Sequence, residues 1–347
     1  MARYKFRAES IFVLATIAVL CAGNPAQAQR NGLFSGGRPT LGGVGVWSDE
    51  VWLNDWRIQK HAVIGHYRLI DPDDRRQAFG SFEDCQAKLA EVKAQAIFPP
   101  LPKDVTIVMH GLGAGRGFME GLADYLEENG NLATVNIGYP STMEDIDAYA
   151  ASLDSVIRHL DGVESVSFVA HSMGNIVIRR YLFNLGRLAP EMRPPVTFKR
   201  MVMISPPNHG AELADRFSDN PLVKAVAGKP LQQLAPSGGW PELEKQLATP
   251  SFEFGVIAGG RGDSEGYLDA IPGDDDSLLS IDTMKLAGAS DYIQTKGVHQ
   301  LMPKFKEVRE ATLLFLQHGY FLSEESRTRI VAAEPVAAPP VAVQAAR

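Results

Sequence analysis

Residues 163–180 constrain the fold of this chain more than any other segment. The segment begins with a β-rich apolar run at residues 166–170 and turns at His171-Ser172-Met173-Gly174. It then continues with apolar side chains at helical spacing over residues 176–181. The pattern predicts a strand, a sharp turn and a helix, with Ser172 at the corner.

A serine at such a corner is typical of a nucleophile elbow, in which the turn exposes the serine hydroxyl. The backbone there is strained and the strand and helix almost touch, so small residues are needed on both sides of the serine. Gly174 supplies one, and Ala170 stands where the pattern G-x-S-x-G has its first glycine. Ser172 is therefore a candidate nucleophile. The alternative is a serine that only caps the helix.

Six short apolar runs alternate with helical patterns along the chain. They cover residues 105–109, 133–137, 166–170, 200–204, 254–258 and 292–296. Nearly continuous apolar strands are typical of a parallel sheet that is buried on both faces. The prediction is an α/β fold with helices on both faces of the sheet. In such sheets the functional residues follow the carboxyl ends of the strands.

The N-terminus has the pattern of an export signal. Arg3, Lys5 and Arg7 precede an apolar run at residues 11–22, and Ala26-Gln27-Ala28 supplies a small-x-small cleavage site. The run is shorter than the roughly 20 residues that a membrane-spanning helix needs. We therefore expect residues 1–28 to be a signal peptide and the mature protein to be periplasmic or extracellular. The alternative is an uncleaved anchor.

The rest of the chain divides by composition. Residues 29–55 are rich in glycine, which predicts a loose N-terminal arm. Residues 56–325 are expected to form the α/β domain, with a hairpin at 56–70 and a helix at 81–95. Residues 211–250 hold scattered apolar patches and are a candidate cap. Residues 326–347 are rich in proline and alanine, which predicts a disordered tail.

Charge and cysteine content narrow the possibilities. The formal net charge of −7 gives no electrostatic case for binding nucleic acid. Of the two cysteines, Cys21 lies in the expected signal peptide, so Cys85 is left alone. A single cysteine can form neither an internal disulfide nor a cysteine-based metal site, and Cys85 is interpreted as a small buried side chain.

Further residues near the predicted strand ends also match the pattern of a known protein superfamily. His110-Gly111-Leu112-Gly113 follows the first apolar run, Asp276 follows the fifth and His299 the sixth. With residues 170–174, they make the chain resemble the α/β-hydrolase superfamily, specifically its secreted lipase- and esterase-like members, over most of residues 56–320. The resemblance implies a serine hydrolase that needs no cofactor.

A serine hydroxyl needs a general base beside it. The resemblance implies a histidine after the last strand, a position that His299 fills; the alternative is a histidine on a surface loop. His209 is a rival base in the stretch 205–213, which resembles a cleft-lining segment of lipases. It precedes the candidate acids in the chain, against the order serine, acid, histidine that the resemblance implies.

The acid lies between serine and histidine in this order. The superfamily's acid usually precedes a small residue and two apolar residues, which selects Asp276 from the run 274–276. Asp275 is the second choice, Asp274 the third and Asp269 an outside candidate. Three adjacent carboxylates also occur in solvated loops and cation sites. Ligands at alternate positions, as a metal loop needs, are not evident, so no metal is expected.

The resemblance also implies two backbone donors for an oxyanion, the N–H groups of Met173 and Leu112. His110 is expected to support this loop. We expect hydrolysis of carboxylic esters through an acyl-enzyme, with a small-molecule or lipid ester as substrate and transient contact with a lipid surface. Acyltransferases, amidases and thioesterases use the same triad, and a non-catalytic binding protein on this fold is the alternative from another class.

Overall fold

The computed structural model describes residues 38–39, 44–95, 97–218 and 221–331. The expected signal peptide, most of the glycine-rich arm and residues 332–347 of the expected tail lie outside the described residues. No helix within the described ranges is long and apolar enough to cross a membrane.

An antiparallel sheet of five strands forms the N-terminal part of the described chain. Its strands are β1 (Arg38–Pro39), β2 (Trp47–Leu53), β3 (Trp56–His61), β4 (Tyr67–Ile70) and β5 (Arg75–Gly80), in the spatial order β1-β5-β4-β3-β2. The predicted hairpin corresponds to β3 and β4. Helix α1 (Phe82–Gln95) packs Cys85, Leu89 and Val92 against this sheet. Burial raises the pKa of the Cys85 thiol to about 11.

The structure differs from the arm predicted for residues 29–55, because residues 47–53 form strand β2. This strand is buried on both faces: Val51 and Leu53 join the cluster under α1, while Trp52 joins the main core. A strand that is buried on both faces lacks the alternation that marks a half-exposed strand and usually shows a continuous apolar run. In β2 the buried polar residues Ser48 and Asp49 interrupt that run. The pattern therefore gave no strand signal before Trp56.

The central sheet, within the described residues, consists of six parallel strands. These are β6 (Asp104–Met109), β7 (Ala133–Ile137), β8 (Ser165–His171), β9 (Thr197–Ile204), β10 (Glu253–Gly260) and β11 (Asp291–Lys296). Each coincides with one of the six apolar runs. All neighbouring pairs are parallel. The expected α/β class is confirmed.

Helices cover both faces of this sheet. The remaining α-helices of the described residues are α2 (Glu120–Gly130), α3 (Ile146–Arg158), α4 (Met173–Gly186), α5 (Glu212–Ser218), α6 (Pro221–Leu234), α7 (Trp240–Glu244), α8 (Ile281–Met284) and α9 (Lys306–His318). Helices α3 and α4 bury their apolar sides in one core, and α2 and α9 bury theirs in the core on the opposite face. Alternate strand residues divide between the two cores, as Ile107 and Val108 do.

The strand order places a crevice at the middle of the sheet. The order is β11-β10-β9-β8-β6-β7, so the chain moves outward in one direction after β6 and in the other after β8. The loops that follow β6 and β8 therefore diverge from the same point. In open α/β sheets, ligands bind at the carboxyl ends of the strands at such a switch point.

The C-terminal boundary also differs from the predicted one at residue 325. Ile330 is hydrogen-bonded to the body: it donates its N–H to the carbonyl of Ala289 at 3.1 Å, and Gly288 donates to the carbonyl of Ile330 at 2.8 Å. Arg327 forms an ion pair with Glu253 at 3.1 Å. These partners are remote in sequence, so the composition of the tail did not reveal them.

Candidate active site

Ser172 lies at the corner between β8 and α4 in a strained conformation. Its φ of 53° and ψ of −128° are unusual for a residue with a side chain. The N–H of Ser172 donates to the carbonyl of Ile204 at 2.9 Å, and the N–H of Asn175 donates to the carbonyl of Ser172 at 3.1 Å. The side chain of Ser172 makes no capping hydrogen bond to α4, which argues against the capping interpretation.

Close contacts explain the glycines around the corner. A Cβ atom at Gly174 would lie 2.6 Å from the carbonyl oxygen of His110, and one at Gly111 would lie 2.8 Å from Cβ of Ser172. At position 170 there is room for a methyl group, because the Ala170 side chain is fully buried and packs in the main core. The alanine in place of the first glycine is therefore compatible with the turn.

The structure brings the side chains of Ser172, His299 and Asp276 into one hydrogen-bonded chain. Ser172 Oγ lies 2.8 Å from Nε2 of His299, and Nδ1 of His299 lies 2.7 Å from Oδ2 of Asp276. His299 is 4% exposed and Asp276 is fully buried. A hydroxyl, an imidazole and a carboxylate in this order can pass a proton from the hydroxyl to the imidazole.

The loop around Asp276 fixes its carboxylate. Oδ1 accepts the backbone N–H groups of Leu278 at 3.1 Å and Leu279 at 2.9 Å, which leaves Oδ2 for His299. The backbone N–H of His299 donates to the carbonyl of Asp276 at 2.6 Å. The loop after β10 therefore holds both the carboxylate of Asp276 and the backbone of His299.

Asp275 and Asp274 form hydrogen bonds with groups other than His299. Asp275 accepts backbone N–H groups from Ser277 and Leu268, and burial raises the pKa of its carboxyl. Asp274 accepts N–H groups from Arg261, Gly262 and Gln294, which holds the loop after β10. Asp276, and not Asp269, occupies the position beside Nδ1 of His299.

The rival base His209 has a different setting. Its side chain is exposed, and Nδ1 lies 3.4 Å from Oε1 of Glu244. The nitrogen beside Ser172 Oγ belongs to His299.

The loop after β6 carries the first candidate donor. His110 is buried, donates Nδ1–H to the carbonyl of Gly111 at 2.9 Å and stacks on Tyr139 with ring centroids 4.2 Å apart. The hydroxyl of Tyr139 in turn donates to the carbonyl of His110. Burial lowers the pKa of His110 to about 4, so its ring is neutral at pH 7. His110 therefore supports the backbone that leads to Leu112.

The second candidate donor, Met173, is the first residue of α4. The first N–H groups of a helix have no partner within the helix, and the N-terminal end carries partial positive charge. A negatively charged oxygen is favoured at this position.

A cavity of about 120 Å³ opens beside Ser172 and His299. Leu112 and Phe118 line it, together with apolar residues from the segment predicted as a cap: Ala211, Leu213, Ala214, Ala227, Leu231 and Leu234. Its lining residues within the described chain include no Asp, Glu, Lys or Arg. The cavity thus accommodates an apolar, uncharged group next to the hydroxyl.

The backbone fold is similar to that of lipase BlEst2 from Bacillus licheniformis in its propeptide form. The TM-score is 0.50 at 18% identity, over 68% of this chain and 54% of that one, so the match spans about half of that protein. This chain has the α/β-hydrolase fold. The mature form of the same lipase gives a TM-score of 0.46 at 18% identity, over 64% of this chain and 93% of the other.

Staphylococcus hyicus lipase gives a TM-score of 0.44 at 12% identity, over 59% of this chain and 89% of that one. Neither a scan against protein-family models nor a search of curated proteins produced a match.

Some residues that shape this hydrolase-fold site were not singled out from the sequence. Asn175 is buried and donates its side-chain N–H to the carbonyls of Ala170 and Ser172, which braces the corner. Asp49 of β2 accepts the N–H of Gly138 at 2.7 Å and thereby holds the loop that carries Tyr139. The position of Asn175, a polar residue in the first turn of the helix after Ser172, could have indicated that it supports the corner. No local pattern marked Asp49.

Among the described residues, no group of three His, Cys, Asp or Glu side chains is arranged to hold a metal ion.

Proposed function

We propose that this protein hydrolyses carboxylic esters through an acyl-enzyme on Ser172. The observation that carries the proposal is the hydrogen-bonded chain from Ser172 through His299 to Asp276, at 2.8 and 2.7 Å, beside an uncharged cavity. The fold is compatible with this chemistry, but one fold hosts many functions, so the proposal depends on the site.

In the first step, Ser172 Oγ attacks the ester carbonyl carbon and its proton passes to Nε2 of His299. The carbonyl π electrons move to the oxygen, which becomes an oxyanion. The N–H groups of Leu112 and Met173 stabilise this oxyanion. Asp276 keeps the proton on Nδ1 of His299 and stabilises the imidazolium that forms.

In the second step, His299 gives its proton to the alcohol oxygen as the ester C–O bond breaks, and the alcohol leaves. Water then attacks the acyl-serine, and His299 takes a proton from the water. When the second tetrahedral intermediate collapses, the proton returns to Ser172 Oγ and the carboxylic acid is released. Atoms and charges balance without a cofactor.

The cavity indicates an apolar acyl group of limited size. An engineered cavity of about 150 Å³ lined by apolar side chains binds benzene, so one of this size would hold roughly four to six carbon atoms. We therefore propose short- to medium-chain esters, including lipid esters presented at a surface, as substrates. Comparing the same ester below and above its solubility limit tests the expected surface contact, because contact predicts a rise in turnover above the limit.

Turnover of a p-nitrophenyl ester series tests the proposal. The wild-type protein and Ser290→Ala should turn over the same esters, since Ser290 only bonds the carbonyl of Phe254 away from the triad. Ser172→Ala should reduce kcat by about 10⁶-fold, as expected for loss of a triad nucleophile. Equal turnover by Ser172→Ala and the wild type would contradict the proposal.

We also propose that the protein is exported after removal of residues 1–28. The basic start, the apolar run and Ala26-Gln27-Ala28 support this. The mass and N-terminal sequence of protein recovered from outside the cytoplasm should correspond to a start at Gln29. Recovery of an uncleaved chain from the membrane fraction would contradict it.

A further inference from the structure

We infer that His171, the residue before Ser172, is a positioning residue that holds the general base His299 through a hydrogen bond to its backbone. The inference rests on the proposed function, in which His299 moves the proton. His171 itself does not touch the reacting atoms in this account.

The contact joins the end of β8 to the loop after β11. Nε2 of His171 lies 2.9 Å from the carbonyl oxygen of His299, and the two ring centroids are 4.8 Å apart. The backbone N–H of His299 donates to the carbonyl of Asp276 at 2.6 Å. His299 is therefore held at both backbone polar atoms, while its ring nitrogens face Ser172 and Asp276.

The direction of this hydrogen bond fixes the tautomer of His171. A carbonyl oxygen only accepts, so Nε2 of His171 carries the proton and Nδ1 is an acceptor. Nδ1 is buried and has no hydrogen-bond partner among the described residues. Protonation of Nδ1 would bury an N–H group without an acceptor.

A neutral donor suits this position for a second reason. Burial, followed by repulsion from His299, holds the pKa of His171 well below its ordinary value, with His110 adding to the effect. The rings of Phe118 and His171 are in contact, with centroids 5.3 Å apart. The ammonium nitrogen of Lys304 lies over the Phe118 ring, 5.5 Å from its centroid. When His299 becomes an imidazolium, a neutral His171 stabilises its carbonyl without adding a second positive charge beside it.

The position of His299 makes such a support necessary. His299 begins a short 3₁₀-helix (His299–Lys304) in the loop after β11. His171 is the last residue of β8, next to the nucleophile itself. The hydrogen bond thus ties the loop of the base to the strand that places the serine. A misplacement of about 1 Å between reacting groups costs on the order of 10²-fold in rate.

Three variants test the inference. His171→Gln keeps an N–H donor near the place of Nε2, His171→Asn keeps the same amide about one bond short, and His171→Leu removes the donor. We expect His171→Leu and His171→Asn to lose about 10²-fold in kcat with little change in KM. His171→Gln should stay within about tenfold of the wild type. His66→Leu, at an exposed histidine of the N-terminal sheet, is the control that should retain full activity.

Unfolding curves for each variant separate positioning from stability. A purely structural role would lower kcat only in proportion to the unfolded fraction, and Gln and Asn would then behave alike. Equal kcat for His171→Gln and His171→Asn, or wild-type kcat for His171→Leu, would overturn the inference. If His171→Leu does not fold, the comparison of kcat between His171→Gln and His171→Asn still tests the inference.

A measurement that needs no turnover separates this inference from the proposed function. The Nδ1 proton of His299, bonded to Asp276, should give a strongly downfield NMR signal in the wild type and in His171→Gln. The signal should broaden or disappear in His171→Leu and His171→Asn. An unchanged signal in these two variants would refute the positioning role, whether or not the wild type hydrolyses any ester. Failure to hydrolyse esters with the signals as expected would refute only the proposed function.

Discussion

Gly111 and Ser172 approach each other so closely that no side chain fits between them. A Cβ atom at Gly111 would lie 2.8 Å from Cβ and 3.3 Å from Oγ of Ser172. Two loops that follow different strands of the sheet are thus in contact at the serine. A side chain at residue 111 would push apart these two loops, which line the same cavity.

Gly111→Ala should therefore damage the proposed oxyanion site. The added methyl group forces Leu112 away from the serine, and we expect kcat/KM to fall by about 10²–10³-fold, as for loss of one oxyanion donor. Gly117→Ala is the matched control, because a Cβ there meets nothing within 4 Å. Ester turnover by both purified variants checks this, and full activity of Gly111→Ala would count against the assignment of Leu112.

Neutral replacement of Asp276, with Asp274 as the comparison, tests the assignment of the acid. Asp276→Asn presents an amide to Nδ1 of His299, which favours the wrong tautomer, and kcat should fall by about 10⁴-fold. Asp274→Asn keeps a side chain of the same size at a carboxylate that bonds Arg261, Gly262 and Gln294 instead. Its kcat should remain within about tenfold of the wild type. A larger loss for Asp274→Asn than for Asp276→Asn would reverse the assignment.

Cavity size should set the longest acyl chain. Ala227 is buried and lines the cavity from the cap segment, so Ala227→Leu fills part of the space. We expect kcat/KM for hexanoyl esters to fall at least tenfold and that for acetyl esters to change little, since one unfilled methylene contributes 1–3 kcal/mol, or about 10–200-fold. Ala151→Leu, on the exposed side of α3, is the control. An equal effect on all chain lengths would contradict the proposed acyl site.

Stability should fall in mild acid because of His110. Its folded pKa is about 4 against an ordinary value of 6.5, so the unfolded state binds more protons between these values. The free energy of unfolding is therefore largest above pH 6.5 and falls as the pH drops toward 4, by roughly 3 kcal/mol from this residue. His171, whose pKa is also depressed by burial, adds to the loss in the same direction.

Denaturant unfolding at pH 7.5, 5.5 and 4.5 measures this loss. His110→Gln removes the titrating group and should flatten the pH dependence, although it lowers stability at pH 7.5. If the variant and the wild type show the same slope, another group causes the acid sensitivity.

The strand–turn–helix corner could be predicted because its signal is local. The apolar run, the serine and Gly174 lie within a few residues of each other, and their spacing encodes the turn. The six strands of the central sheet were predictable for the same reason. The choice of His299 and Asp276 came from the chain order of the superfamily that the chain resembles. The structure places His299 beside Ser172 and Asp276 beside His299.

Contacts between distant parts of the chain could not be predicted. Asp49 and Gly138 are 89 residues apart, and His171 and the carbonyl of His299 are 128 residues apart. Strand β2 was missed because the buried polar residues Ser48 and Asp49 interrupt it, so that it shows neither a continuous apolar run nor regular alternation. Such features arise from packing between layers, which composition and spacing do not encode.

The most direct test of the central claim is the reaction of the purified protein with a fluorophosphonate, followed by intact-mass measurement and peptide mapping. An activated serine forms a covalent adduct with this reagent, whereas an ordinary serine hydroxyl does not. The account predicts one adduct on the wild type, mapped to Ser172, and none on Ser172→Ala. An unlabelled wild type, or equal labelling of both proteins, would contradict it.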